Sequence, residues 1–360
     1  MNFFQRILNK PFFIRLFHWE YWSMDAIYFP FIYPVYAWFV IRAGFKYFFV
    51  AADPFIRNGG FLLESKKEIY DQLPEGLHPK SLFFRAGTAA TTVQEEIRKN
   101  FLSFPLIAKP DIGQRGLAVK KLETEKDVEL AVAKYTIDFI IQEFILFENE
   151  AGIFYYRYPG QENGKISGIV AKEFLTVSGD GEKTLLQILH SDKRYVLQVD
   201  SLKIEYKNEL NIILNPGEKR LLVPYGNHAR GAKFLDHSYK ADAELENFID
   251  GLLKKVPEFY YGRLDIRYNT WEELKQGKNF SIIELNGAGS EPTHIYDPKH
   301  SLFFAWKEII RHCIILWRIS VLNQKRGFRF MSFNEGARMF LNNREHRKKL
   351  KAVHQSLLLS

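Results

Sequence analysis

The sequence predicts an α+β chain on three observations: short stretches that alternate apolar and polar residues, glycine turns between them, and two long stretches of helical apolar spacing near the C-terminus. Its 360 residues exceed one ordinary core, so two or three packed subdomains are expected.

The most informative strands are Tyr261 to Tyr268 and Ile282 to Gly289. Strand alternation places Arg263 and Asp265 on one face of the first, and Glu284 and Asn286 on one face of the second. Aiming two carboxylates and an amide at one point is costly unless something compensates the buried charge. A hard cation with oxygen ligands does so. Magnesium commonly completes its shell with water and substrate phosphates, which makes Asp265, Glu284 and Asn286 candidate metal ligands in a nucleotide site.

Upstream, Phe104 to Pro110 reads as a short buried strand that ends in Lys109, followed by the loop Asp111-Ile112-Gly113-Gln114-Arg115-Gly116 and a strand from Leu117 to Lys121. Glycines let backbone N–H groups approach phosphate oxygens, and the lysine adds a point charge. The spacing is not that of a Walker loop, because no Lys-Ser/Thr pair opens a helix. Further on, Gly179-Asp180-Gly181 makes a tight turn and Thr184 caps a helix running to about His190.

In this order the segments resemble the ATP-grasp superfamily over roughly residues 59–298, close to its D-alanine–D-alanine ligase and cyanophycin synthetase branches. The resemblance implies two α+β subdomains enclosing ATP, with a small lid at about 88–150. It also implies two magnesium ions, with manganese as a substitute. On that pattern Lys109, Gly113, Arg115, Gly116 and Lys172 contact phosphates, Gln142-Glu143-Phe144-Ile145 is the hinge beside adenine, and Glu150, with Glu148 close by, is the ribose acid. Asp265, Glu284 and Asn286 match the metal ligands. Arg263 matches the arginine facing the tetrahedral oxyanion, and Arg230, with His228, is a second candidate to neutralise transferred charge.

Composition narrows the remaining classes. The single Cys313 excludes an internal disulfide, and the lack of a signal-peptide cleavage pattern points to the cytoplasm. The ten histidines show no zinc spacing. The net charge of +8 is concentrated at the ends: residues 301–360 hold twelve Lys/Arg against three Asp/Glu, and residues 1–60 hold six against three. The central region is therefore acidic overall, which argues against a nucleic-acid groove.

Residues 1–58 form an aromatic-rich segment; twenty of the chain's 56 aromatic residues fall in the first sixty. Pro30, Pro34, Arg42 and Lys46 interrupt the apolar run 26–52, leaving it short of a membrane span. Two readings stand. The segment packs on the body, or Phe3, Phe4, Ile7, Leu8, Phe12, Phe13 and Phe17 among Arg6, Lys10 and Arg15 lie in anionic headgroups at the inner membrane surface. Residues 299–360 are expected to form a basic tail of two helices, about 299–323 and 333–355. Only Phe45 to Asp53 resembles a strand of the Rossmann-like domain that precedes the body in many relatives, so the acceptor site is expected to come from the aromatic segment or the tail.

The function expected is ADP-forming ligation: a small-molecule carboxylate is activated as an acyl phosphate and attacked by an amine or other nucleophile. Phosphoryl transfer by an ATP-grasp kinase and a non-catalytic nucleotide-binding scaffold at a membrane surface are the alternatives. The carboxylate, the nucleophile and the oligomeric state are not legible.

Overall fold

The structure is a computed structural model that describes residues 10–114, 116–206, 209–223, 226 and 228–358. Arg115, Asn227 and the first nine residues lie outside the described residues, so the phosphate role of Arg115 and the lipid reading of Phe3 to Leu8 are carried no further. Among the described residues eleven strands form three antiparallel sheets: β1 Ser81–Phe84, β2 Leu106–Pro110, β3 Lys120–Leu122, β4 Phe139–Glu143, β5 Asn149–Tyr156, β6 Lys165–Glu173, β7 Leu175–Ser178, β8 Lys219–Val223, β9 Lys233–Asp236, β10 Tyr261–Tyr268 and β11 Phe280–Asn286. The strand orders are β1-β4-β2-β3, β11-β10-β5-β6-β9 and β7-β8.

The large sheet divides its residues by strand parity. Leu264, Ile266 and Tyr268 of β10, with Ile153 and Tyr155 of β5, are buried against the helix Ala243–Leu253. On the opposite face, Phe154 and Tyr261 meet His312 of the helix Leu302–Lys325. Arg263, Asp265 and Arg267 share that face with Tyr261, beyond the helix's cover. One face is thus hydrophobic at one end and charged at the other.

The small sheet is covered by the helices Ala90–Lys99 and Glu125–Val132, and also by the C-terminal helix Phe333–Leu358, whose Leu350, Val353 and Leu357 join the core of Val128, Phe139 and Ile141. Arg344, Arg347, Lys348 and Lys349 remain exposed on the same helix. The third sheet has its own core of Leu175, Val177, Leu185, Leu189 and Leu222. Its Gly179–Gly181 turn closes with Asp180 accepting from the backbone N–H groups of Glu182 and Lys183, and Thr184 caps Leu185–Leu189.

Several expected boundaries move. The stretch Phe45 to Asp53 is not a strand; its Phe48–Ala51 part is a 3-10 turn. Phe48, Phe49, Ala51 and Ala52 are all buried, and alternation cannot turn consecutive side chains into one core. The strand expected at Leu117 to Lys121 is β3 at Lys120–Leu122, because Ala118 takes a φ of 57° and its carbonyl accepts from the Tyr135 hydroxyl at 2.6 Å. β5 begins at Asn149, which brings Glu150 into the large sheet. The small sheet occupies 81–143. The aromatic segment packs: Ile27, Ile32, Phe39 and Phe48 are buried with Ile309, Leu316 and Ile319 of the Leu302–Lys325 helix.

Candidate nucleotide and metal site

Asp265 and Glu284 are direct partners across β10 and β11, and Arg263 is the partner of Asn286. The four residues therefore form one two-by-two block. The neighbouring strand β5 places Gly152 beside Asp265; a Cβ there would lie 2.9 Å from Asp265 Oδ1 and 3.1 Å from Arg263 Cδ. The missing side chain lets Asp265 and Arg263 lie close over β5. Gly226, where a Cβ would lie 2.4 Å from both Lys172 Cδ and Glu150 Oε1, leaves room for Lys172 of β6, whose Nζ lies 3.1 Å from Asp265 Oδ1 and 2.8 Å from Glu150 Oε1. Arg267 engages the other Glu150 oxygen at 3.0 Å and donates to the Phe147 carbonyl. Arg263 grips Asp265 with Nε at 3.0 Å and Nη2 at 3.2 Å, and donates through Nη1 to the Glu291 carbonyl.

The other wall comes from the small sheet and the segment before it. Lys109, buried at the end of β2, donates to the Tyr70 hydroxyl at 2.9 Å, and Gln142 of β4 donates to the same oxygen at 3.2 Å. Tyr70 in turn donates to the Ile283 carbonyl of β11 at 2.6 Å, tying the two sheets together. Lys66 forms an ion pair with Glu284 at 3.1 Å. Its helix, Lys66–Tyr70, is capped by Ser65, and Asp111 from the glycine loop accepts from the Ser65 hydroxyl and the Lys67 N–H. The loop is itself held by the C-terminal helix: Gln114 bonds Asn343, and His346 Nε2 lies 2.7 Å from the Ile112 carbonyl. Gly113 lies beside Lys66, and Gly116 takes a φ of 69°.

Lys66, Lys109, Lys172, Arg263 and Arg267 face the carboxylates of Glu150, Asp265 and Glu284, and Glu64, Asp111 and Glu291 lie near enough to act on Lys66, Lys109 and Arg263. Burial would raise the Asp265 and Glu284 carboxyls, but Arg263 with Lys172, and Lys66 with Lys109, override it and hold both below the usual range. Burial and the neighbouring Lys66 push the Lys109 ammonium down to about 7. Glu284 and Asp111 act in the opposite direction without restoring it.

Magnesium or another hard cation fits the donor set of two register-paired carboxylates and an amide. Asn286 Nδ2 is buried without a hydrogen-bond partner, which leaves a donor in the site for an acceptor such as a phosphate oxygen. No cluster of three or more His, Cys, Asp or Glu side chains that could hold a metal occurs among the described residues. Lys66, Lys172 and Arg263 supply the positive charge that a cation would bring.

The remaining expected residues are dispersed. Glu143 ends β4, Phe144 lies under Lys121 Nζ at 4.8 Å, and Ile145 follows beyond the strand. Arg230 forms a 3.3 Å ion pair with Glu205, and His228 stacks between Tyr21 and Tyr296. Two residues were missed in the sequence, Lys66 and Tyr70. Ser65-Lys66-Lys67-Glu68 carries a helix-start pattern, but nothing local says where that helix points. Tyr28 of the aromatic segment was also missed; it bonds the Glu291 carboxylate at 2.8 Å, and Tyr296 bonds it at 3.0 Å. A 570 Å³ cleft lined by Tyr158, Trp317, Arg318 and Val321 lies elsewhere. In this conformation the cations and carboxylates of the site close on each other.

Two antiparallel sheets thus face one another across this cluster in an α+β architecture. No family model and no curated protein matches the sequence. Among solved structures the chain is similar to a bifunctional glutathione synthetase from Pasteurella multocida, at 10% identity and a TM-score of 0.40 over 73% of this chain and 38% of that one. It is also similar to the VanG D-Ala:D-Ser ligase from Enterococcus faecalis, at 14% and 0.41 over 73% of this chain and 64% of that one. The D-alanine–D-alanine ligase from Bacillus anthracis gives 13% and 0.41, over 73% and 68%. The chain thus spans well under half of the first of these and just under two thirds of the second.

Proposed function

We propose that this chain binds ATP between its small and large sheets and uses it to ligate a carboxylate to an amine or other nucleophile. The observation that carries this reading is the convergence of buried Lys66, Lys109, Lys172 and Arg263 on Asp265 and Glu284 between the two sheets. It marks a place for a polyanion that is itself accompanied by metal.

In the reaction a carboxylate oxygen of the substrate attacks the γ-phosphorus, the bond to the β,γ-bridging oxygen breaks, and ADP leaves with the electron pair. The nucleophile then attacks the acyl carbon, the C–O bond to phosphate breaks, and inorganic phosphate departs; the amine proton passes to phosphate or solvent. Lys109, Lys66 and Lys172 neutralise the phosphates, with backbone N–H groups around Gly113 and Gly116. Adenine lies against Gln142 to Ile145. Glu150 acts here as a positioning residue for Lys172, since both of its oxygens are engaged by Lys172 and Arg267. Arg263 faces the oxyanion of the acyl intermediate. Asp265, Glu284 and Asn286 would hold magnesium, which spreads the charge of the transferred phosphoryl group.

Incubation with pools of carboxylates and amines should release ADP, and hydroxylamine should trap the acyl phosphate as a hydroxamate. Glu284→Gln should abolish both signals in a folded protein. ADP release without hydroxamate under any carboxylate would instead indicate phosphoryl transfer to a hydroxyl, and unchanged turnover in Glu284→Gln would remove the metal assignment.

A further inference from the structure

We infer that the outward faces of the helices Ile32–Arg42 and Leu302–Lys325 form one docking surface for an anionic lipid bilayer. The inner faces of both helices are buried against each other and the large sheet, yet their outer faces are also apolar. Trp38 is 58% exposed, Phe303 77% and Phe45, just past the first helix, 65%. Phe31, Ile41 and Ile314 are exposed alongside them. Ring contacts join the two faces: Phe31 packs on Trp306 at 4.7 Å and Phe303 on Trp306 at 5.5 Å. Exposed aromatic and aliphatic side chains in one contiguous group mark an interaction surface, whereas single ones do not.

Charge selects the occupant. Arg42, Lys46, Lys307 and Arg318 are exposed on or beside these faces, and Arg42 lies over the Trp317 ring. Residues 26–52 contain no Asp or Glu. The one acid on the Leu302–Lys325 helix, Glu308, is buried and paired with Arg311 at 2.6 Å. The exposed acid beside this patch, Asp25, accepts from the Tyr33 hydroxyl at 2.6 Å, and aromatic residues bordered by an excess of exposed cations suit the headgroup level of an anionic leaflet. A second copy docking through the same patch would bring Arg42, Lys307 and Arg318 against their equivalents, which like-charge repulsion opposes. Among the described residues no helix is long and apolar enough to cross a membrane, so the contact is interfacial.

The test uses the full chain with vesicles of phosphatidylcholine alone or mixed with phosphatidylserine. Two double variants, Trp38→Ser/Phe303→Ser and Lys307→Glu/Arg318→Glu, change exposed residues only, and circular dichroism checks their folding. The wild-type chain should sediment with the serine-lipid vesicles, less so as salt rises, with its tryptophan emission shifting to the blue. Each variant should lose about tenfold or more in partitioning, since a single cation near such a surface contributes ~1 kcal/mol. Absence of wild-type binding, or wild-type binding by both folded variants, overturns the inference. So does a doubled mass in solution that Trp38→Ser/Phe303→Ser abolishes while no vesicle is bound, which would make a second copy the occupant. If one variant fails to fold, the other still decides the outcome.

Discussion

Lys109 has its ammonium repelled by Lys66 and held by a neutral tyrosine hydroxyl, and burial brings its pKa to about 7. Between that value and the ordinary lysine range the unfolded chain carries a proton that the folded chain lacks, so this group's contribution to stability rises as pH rises through that window. A triphosphate would reverse the bias. Binding of metal-free ATP at pH 8 should therefore take up close to one proton, read as different calorimetric heats in buffers of different ionisation enthalpy. Lys109→Met should abolish the uptake; uptake unchanged in that variant would assign the proton elsewhere. Asp53 is a second buried acid, with Oδ1 accepting from the Tyr260 and Tyr261 N–H groups and burial raising its carboxyl well above the usual range. Asp53→Asn keeps that acceptor and should be nearly neutral. Asp53→Ala leaves two backbone donors unpaired at the start of β10 and should cost about 2–4 kcal/mol in denaturant unfolding.

Two helices decide more than their own stability. His312 sits inside the Leu302–Lys325 helix against Phe154 and Tyr261, where burial lowers its pKa from 6.5 to about 3. The unfolded chain protonates below 6.5 while the folded one does not, so stability falls as pH drops through that window. His312→Leu should reduce the loss between pH 7 and pH 5 by about 2 kcal/mol. The C-terminal helix closes the small sheet and clamps the glycine loop. Leu350→Ala should cost ~3 kcal/mol and speed hydrogen exchange in β2 and β4, while Lys349→Ala, on the exposed face, should change stability by less than ~0.5 kcal/mol. Gly60 belongs to the same scale: with a φ of 69° and an imagined Cβ 2.6 Å from the Gly287 Cα, it lets the Gly59–Gly60 backbone pair with Ala288 and Gly289 just past Asn286. A side chain there would push the β11 end away from the site.

At the scale of the whole molecule the site exists only between sheets, so nucleotide should stabilise both together. With magnesium and ATP at about a hundredfold above Kd, unfolding should be delayed by ~2.7 kcal/mol as one transition; Glu284→Gln should lose most of that shift. Much of the arrangement was readable beforehand. Strand period two is local, so the shared faces of Arg263 with Asp265 and Glu284 with Asn286 followed from spacing alone, as did the Thr184 cap and the two C-terminal helices. The register that sets Asp265 opposite Glu284 was not readable, nor was the approach of Gly226 to Lys172 and Glu150. Lys66 and Tyr70 lie about 200 residues from the strand they touch, and no local pattern encodes that distance.

Periodicity, capping and charge balance are properties of neighbours along the chain, and they are enough to set the α+β class, the strand faces and the amphipathic ends. Which cations meet which carboxylates is a matter of packing. The Lys66–Tyr70 helix, the aromatic segment and the C-terminal helix each reach the cluster because their hydrophobic faces had to be covered by a sheet or helix distant in sequence. Long-range burial brought those charges together.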